Sequence, residues 1–248
     1  MNFSPIKSIN RREWLKLLHV REEYPDWERL SLIDGSPAQQ LARQMDAAEK
    51  QLLDAVRPRG IYRVVERSQI HAEGVSIAKH LEGCDQVAAL AVTSGSGIDD
   101  LIRRAQIGNI AQAVVLDTGA SVLAAQIADA AEETIRREIL GQDDGCQDDG
   151  CQDGAGCGST PSEQLWMTSR FSPGYGDLPL GYQRDLLALT DAPRKIGLML
   201  TAGNIMVPRK SITALIGLAD HPVTGRLASC NECVLRADCP FIKEGRHC

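Results

Sequence analysis

The chain has 248 residues, 43% hydrophobic and 24% charged, enough to bury a substantial core in one large domain or two small ones. A net charge of −6 with only 4% aromatic residues argues against a nucleic-acid binder, which needs a basic face and stacking surfaces. No apolar run reaches the length of a membrane span and residues 1–18 lack an apolar signal region, so the expectation is a cytoplasmic protein with neither nucleic acid nor membrane as partner.

Residues 1–35 read as an N-terminal arm with a short helix over 11–18 and a docking segment carrying Tyr24 and Trp27. Ser36-Pro37-Ala38-Gln39 is a helix start: a capping serine, a proline suited to the first position, and a glutamine for a capping box. Leu41, Met45, Leu52 and Val56 continue it near helical spacing, and Pro58 and Gly60 stop it. A strand follows over 61–66, then a short helix over 76–81 closed by Gly83. The apolar run 86–92 reads as a strand feeding Thr93-Ser94-Gly95-Ser96-Gly97 and a helix from about Ile98. A glycine loop between strand and helix can hold an anion on backbone N–H groups, but neither a dinucleotide fingerprint nor a lysine-bearing phosphate loop is present, and a plain turn is the competing reading.

Residues 111–140 form a long alanine-rich helix. Gly119 inside it costs about 1 kcal/mol relative to alanine, which close packing would explain. Glu132, Glu133, Arg136, Arg137 and Glu138 read as a solvated, ion-paired face. Residues 142–158 repeat Gln-Asp-Asp-Gly-Cys with almost no apolar mass and read as a flexible insertion. A helix over 179–189, a strand over 196–201 and a strand at Ser211–Ala219, in which Ile212, Ala214, Ile216 and Leu218 alternate with Thr213 and Gly217, complete an order of helices and short strands that suits an α+β fold.

Between insertion and helix lies Arg170-Phe171-Ser172-Pro173-Gly174-Tyr175-Gly176-Asp177-Leu178-Pro179. Pro173 fixes φ and Gly174 opens backbone angles closed to other residues. Arg170 offers a fork of donors to a carboxylate, and Tyr175 an aromatic face and a hydroxyl. These residues suit a small zwitterionic or nucleoside-like ligand. They also suit a Pro-Gly turn with an incidental arginine, and composition alone favours that turn.

The spacing Arg-x-x-Pro-Gly-Tyr, followed by Leu200-Thr201 and Met206-Val207-Pro208, resembles the reactivation domain of cobalamin-dependent methionine synthase, and most nearly the standalone activation proteins that carry this domain alone. The pattern extends to Ile9-Asn10-Arg11-Arg12-Glu13, to Leu81-Glu82-Gly83-Cys84-Asp85 with the apolar run and Thr-x-Gly after it, and to Pro208-Arg209-Lys210-Ser211. The resemblance implies a bent, largely antiparallel sheet with flanking helices: an arm at 1–35, a core at 36–220 and a Cys-rich tail at 221–248. It implies activation in trans of a methionine synthase, with S-adenosylmethionine as ligand and cobalamin carried by the partner, that is, by the cobalamin-binding module of the synthase or by another corrinoid protein. Arg170 would meet the ligand carboxylate, and Pro173, Gly174 and Tyr175 would lie along the nucleoside. Departures follow Tyr175, where Gly176-Asp177-Leu178-Pro179 replaces the synthase pattern, and at Leu200-Thr201-Ala202-Gly203, where a carboxylate is lost. They keep open two alternatives: a non-catalytic corrinoid-protein binding module, and a metal or iron–sulfur redox partner.

The second alternative rests on cysteines. Of eight, Cys84 stands alone beside an apolar run, as a small buried residue would. Cys146, Cys151 and Cys157 lie in the repeat, and Cys230-x2-Cys233-x5-Cys239-x8-Cys248 ends the chain. In a reducing compartment such density favours zinc or an iron–sulfur cluster over a disulfide framework, although the spacing matches neither standard ferredoxin pattern; free thiols are the other reading. Elemental analysis of anaerobically purified protein should find metal bound by Cys230, Cys233, Cys239 and Cys248. Zinc near one per chain means a staple that supplies folding free energy, and iron with labile sulfide means a cluster. Neither metal would reduce the tail to a free-thiol extension.

Overall fold

The computed structural model describes residues 1, 6–20, 26–140 and 166–223. The repeat at 142–158, its three cysteines, Tyr24 and the four tail cysteines lie outside them. The chain divides into two compact units. One comprises Met1–Tyr62, Leu90–Ala131 and Gln183–Thr213; the other Arg63–Ala89, Glu132–Tyr182 and Ala214–Cys248. Four of the five divisions fall within three long strands and one long helix.

Those strands are β1 (Arg59–Glu66), β2 (Gln86–Thr93) and β6 (Ser211–Ala219). With β3 (Trp166–Met167) they form a sheet ordered β1-β2-β6-β3. Every neighbouring pair runs antiparallel. Arg57 and Arg67 donate to the carbonyls of Ser94 and Asp85, and Ser94 and Asp85 donate in turn to Lys210 and Leu218; β3 pairs Trp166 with Ala219 and Met167 with Leu218. Mixed helix and antiparallel sheet is the fold class expected. β6 was expected to alternate, but eight of its nine residues are buried, because it lies between β2 and β3 with cover on both faces. That cover needs small residues. A Cβ at Gly217 would collide with the Cys84 thiol and lie 3.0 Å from Thr168 and 3.2 Å from Leu81. Cys84 is buried as expected, and burial, helped by Asp85 and opposed by Arg67, pushes its thiol pKa up.

In the first unit α1 (Arg11–Leu17) begins where Asn10 accepts from the amides of Arg12 and Glu13. The arm is tied down by its motif. Ile9 N–H donates to Glu49, Asn10 N–H to Gln126, and Arg11 pairs with Asp46 and Glu49. After α2 (Trp27–Leu30), α3 (Pro37–Ala55) starts as the sequence dictates, with the Gln39 amide donating to Ser36 Oγ at 3.0 Å. The glutamine side chain reaches Gly35 N–H instead of Ser36 N–H. α5 (Ser96–Gly108) and α6 (Ile110–Leu140) follow. α6 is long and apolar enough to span a membrane by length and composition, against expectation, because its many alanines add to the mean hydropathy without forming a run of large apolar residues. Its large apolar residues Leu116, Leu123, Ile127 and Ile135 are buried within the fold, as in a core helix.

The expected strand at 196–201 is mostly something else. Residues Ala192–Ile196 form α8, following α7 (Gln183–Thr190), and only Met199–Leu200 extends, as β4 paired antiparallel with β5 (Met206–Val207). Pro193 sits in the first turn of α8, where its missing N–H costs nothing, and Gly197 ends it at φ 71°. Ala91, Leu187, Ala192, Ile196 and Leu198 pack together behind the β4–β5 hairpin residues Leu200 and Met206. The expected helix at 179–189 opens instead with a 3-10 turn, Leu180–Tyr182.

Gly119 has the packing role that its cost suggested. The Trp14 indole is fully buried against it, with Nε1 donating to Val115 O and to Thr118 Oγ1, both at 3.1 Å. A Cβ at 119 would stand 2.6 Å from Trp14 Cε2 and 2.9 Å from Leu52 Cδ1. Gly119→Ala should therefore lower stability in urea denaturation, by about 1–3 kcal/mol of overpacking less the roughly 1 kcal/mol that alanine gains in a helix. A net gain would show that Trp14 does not press on this position.

Candidate functional site

Residues 166–178 lie in the second unit and descend along β6. Thr168 N–H donates to Gly217 O, and Phe171 and Leu215 exchange both backbone hydrogen bonds, at 2.9 and 2.8 Å. Phe171 is buried and packs on His80, with ring centroids 4.9 Å apart; His80 Nε2 lies 2.8 Å from Ser169 O. With Phe171 pinned, the chain turns. Tyr175 N–H donates to Ser172 O, Gly174 N–H to Leu178 O, and Leu178 N–H to Tyr175 O. Pro173 and Leu178 are buried, whereas Tyr175 is 54% exposed at the crest and meets Phe171 edge-on.

Gly174 has φ 94°, and a Cβ added there would meet nothing nearer than Leu180 at 3.5 Å. The main chain at the crest is thus open to close approach, as a ligand contact requires. The structure brings Pro173, Gly174 and Tyr175 into one turn with Arg170 at its foot. Arg170 Nη1 lies 3.2 Å from Glu132 Oε2 on α6, both side chains about one quarter exposed. Glu132 is therefore not simply part of a solvated face, although it and Glu133 also stand 3.8 Å from Arg136. Sequence reasoning missed it, because nothing in the helix's charge pattern marks which carboxylate meets a residue 38 positions on.

A second missed residue is Asp177. Its carboxylate accepts from the backbone N–H of Val75 and Ser76 at the start of α4 (Val75–His80). Burial alone would raise this carboxyl; hydrogen bonds from those two amides outweigh it and hold the pKa below its ordinary value. The signal was present at the other end: α4 begins after Gly74, which has no side chain to cap it, so its acceptor has to come from elsewhere.

Other motif pieces prove architectural. Thr201 closes the β4–β5 hairpin through its backbone and Oγ1. In the glycine loop after β2, a Cβ at Gly95 would lie 3.0 Å from Arg57 O and one at Gly97 2.8 Å from Ala55 O, so these glycines serve close backbone packing. Lys210 pairs with Asp117 at 2.9 Å and donates to Ser121, and Arg209 N–H donates to Asp99. Asp99, Asp117, Arg209 and Lys210 line a cleft of about 270 Å³ with Ile102, Arg103 and Val207. Among the described residues no cluster of three or more His, Cys, Asp or Glu could hold a metal.

An antiparallel sheet flanked by helices, with a braced Arg-x-x-Pro-Gly-Tyr turn against its buried strand, defines a reactivation-type domain. Over residues 39–223 the sequence matches the family described as vitamin B12 dependent methionine synthase, activation domain, and the chain belongs to that family. Among solved structures it is similar to the MetH reactivation domain bound to AdoHcy, with 15% identity and a TM-score of 0.52 over 90% of this chain and 81% of that one, a likeness that establishes the fold. No curated protein matches the chain.

Proposed function

We propose that this protein acts in trans on a cobalamin-dependent methionine synthase or a related corrinoid protein, binding S-adenosylmethionine at the 170–175 turn for reductive methylation. Membership of the activation-domain family over residues 39–223 carries this reading. The retained turn, with its open backbone at Gly174, supports it. When bound, S-adenosylmethionine supplies a methyl group and leaves as S-adenosylhomocysteine, while an external donor supplies the electron that returns oxidised cobalamin to its methylated form. The protein's own part is position and electrostatics. Arg170 takes the ligand carboxylate, Gly174 lets the nucleoside approach the main chain, and Tyr175 lies along it.

One observation favours the non-catalytic binding module as second reading: a carboxylate of the chain itself, Glu132, already stands at Arg170. The ligand carboxylate has to displace it or share the guanidinium fork. Titration calorimetry separates the readings. Wild type should bind S-adenosylmethionine, and Arg170→Ala should lose roughly 1.5–3 kcal/mol, about tenfold or more in affinity. No heat with wild type would promote the binding module. Glu132→Gln removes the competing charge and should tighten binding; a weakened complex would mean that Glu132 instead holds Arg170 in its productive orientation.

A further inference from the structure

The contact between Asp177 and α4 is built from both sides. Gly74 has φ 145°, and a Cβ there would stand 2.5 Å from Asp177 Oδ1; Gly176 has φ 52°, and a Cβ there would stand 2.8 Å from Ser76 Cβ and Oγ. Two glycines in segments about a hundred residues apart are thus required by one meeting point. The amides that Asp177 accepts have no acceptor in Gly74, and orphan N–H groups at a helix start are costly when left without one.

The crest at 172–176 hangs between two anchors. On the Arg170 side the anchor is the Phe171–Leu215 pair of hydrogen bonds. On the other side the buried Leu178 fixes depth, but burial is non-directional. The hydrogen bonds at Asp177 are directional and set the rotation of the turn. With its pKa held low, the carboxylate is charged throughout the neutral range.

We propose that Asp177 is the positioning residue of the ligand turn: by gripping the amides of Val75 and Ser76 it fixes the orientation in which Gly174 and Tyr175 meet the ligand. This rests on the reading above that the turn binds S-adenosylmethionine and its product. It also gives the departure from the synthase sequence after Tyr175 a role in the site.

The test uses full-length protein, S-adenosylhomocysteine as probe, and two variants. In Asp177→Ala, hydrogen exchange at the Tyr175 and Leu178 amides should accelerate about tenfold or more while β6 stays protected, and affinity should fall about tenfold. Asp177→Asn keeps one acceptor oxygen and, since asparagine caps helices about as well as aspartate, should restore affinity to within about threefold of wild type. Unchanged exchange in Asp177→Ala would overturn the proposal whatever the ligand does. Faster exchange with unchanged affinity would leave the clamp structural and overturn its positioning role. Wild type that does not bind would sink the ligand reading, and the positioning role with it, even where exchange still reports the clamp. Should Asp177→Ala fail to fold, exchange and affinity in Asp177→Asn decide: wild-type affinity despite a loosened turn would contradict the proposal.

Discussion

Most of this molecule is arranged around the need to cover β6 on both faces. Eight of its nine residues are buried, so its neighbours meet it without water and every backbone group along it needs a partner. Asp85 and Ser94 hydrogen-bond to Leu218 and Lys210 on one side. Thr168 and Phe171 do so on the other, and Gly217 makes room for Cys84, Thr168 and Leu81. The turn that follows Arg170 is a consequence of this pairing. Phe171 is the last residue to exchange hydrogen bonds with β6 before the chain bends away, and Arg170 stands beside it because of that register.

The motif residues divide by what they hold. Asn10 and Arg11 bind the arm to the helices, Thr201 closes a hairpin, Lys210 is neutralised by Asp117, and Gly95 and Gly97 admit neighbouring backbone. They keep the scaffold, whereas Gly174 and Tyr175 are exposed at the crest of the turn. In a family whose fold persists at 15% identity to a solved relative, scaffold residues of this kind are what a sequence pattern mainly records.

Legibility followed the range of the interaction. The start of α3, the span of α6, the cramped Gly119 and the buried Cys84 were readable because capping, periodicity and residue size act locally. The stretch 196–201 was misread because an apolar run of strand length does not distinguish a strand from the end of a short helix; Pro193 and Gly197, which frame α8, were the overlooked signals. Arg170, Pro173, Gly174 and Tyr175 could be proposed as candidates from sequence because they lie within one short stretch. Glu132 and Asp177 could not, since each acts on a partner 38 or about a hundred positions away and its residue type is ordinary for a surface. The alternation expected in β6 failed for a related reason: burial of both faces is decided by what packs on the strand.

The role proposed for this chain is to present S-adenosylmethionine to a corrinoid on another protein. An anaerobic single-turnover reaction tests it most directly, with a corrinoid-loaded methionine synthase module lacking its own activation domain, a chemical reductant, S-adenosylmethionine and this protein. The account predicts methylcobalamin and S-adenosylhomocysteine in equal amounts, formed only when this chain is present. Equal rates with and without it, in protein shown to be folded, would contradict the account.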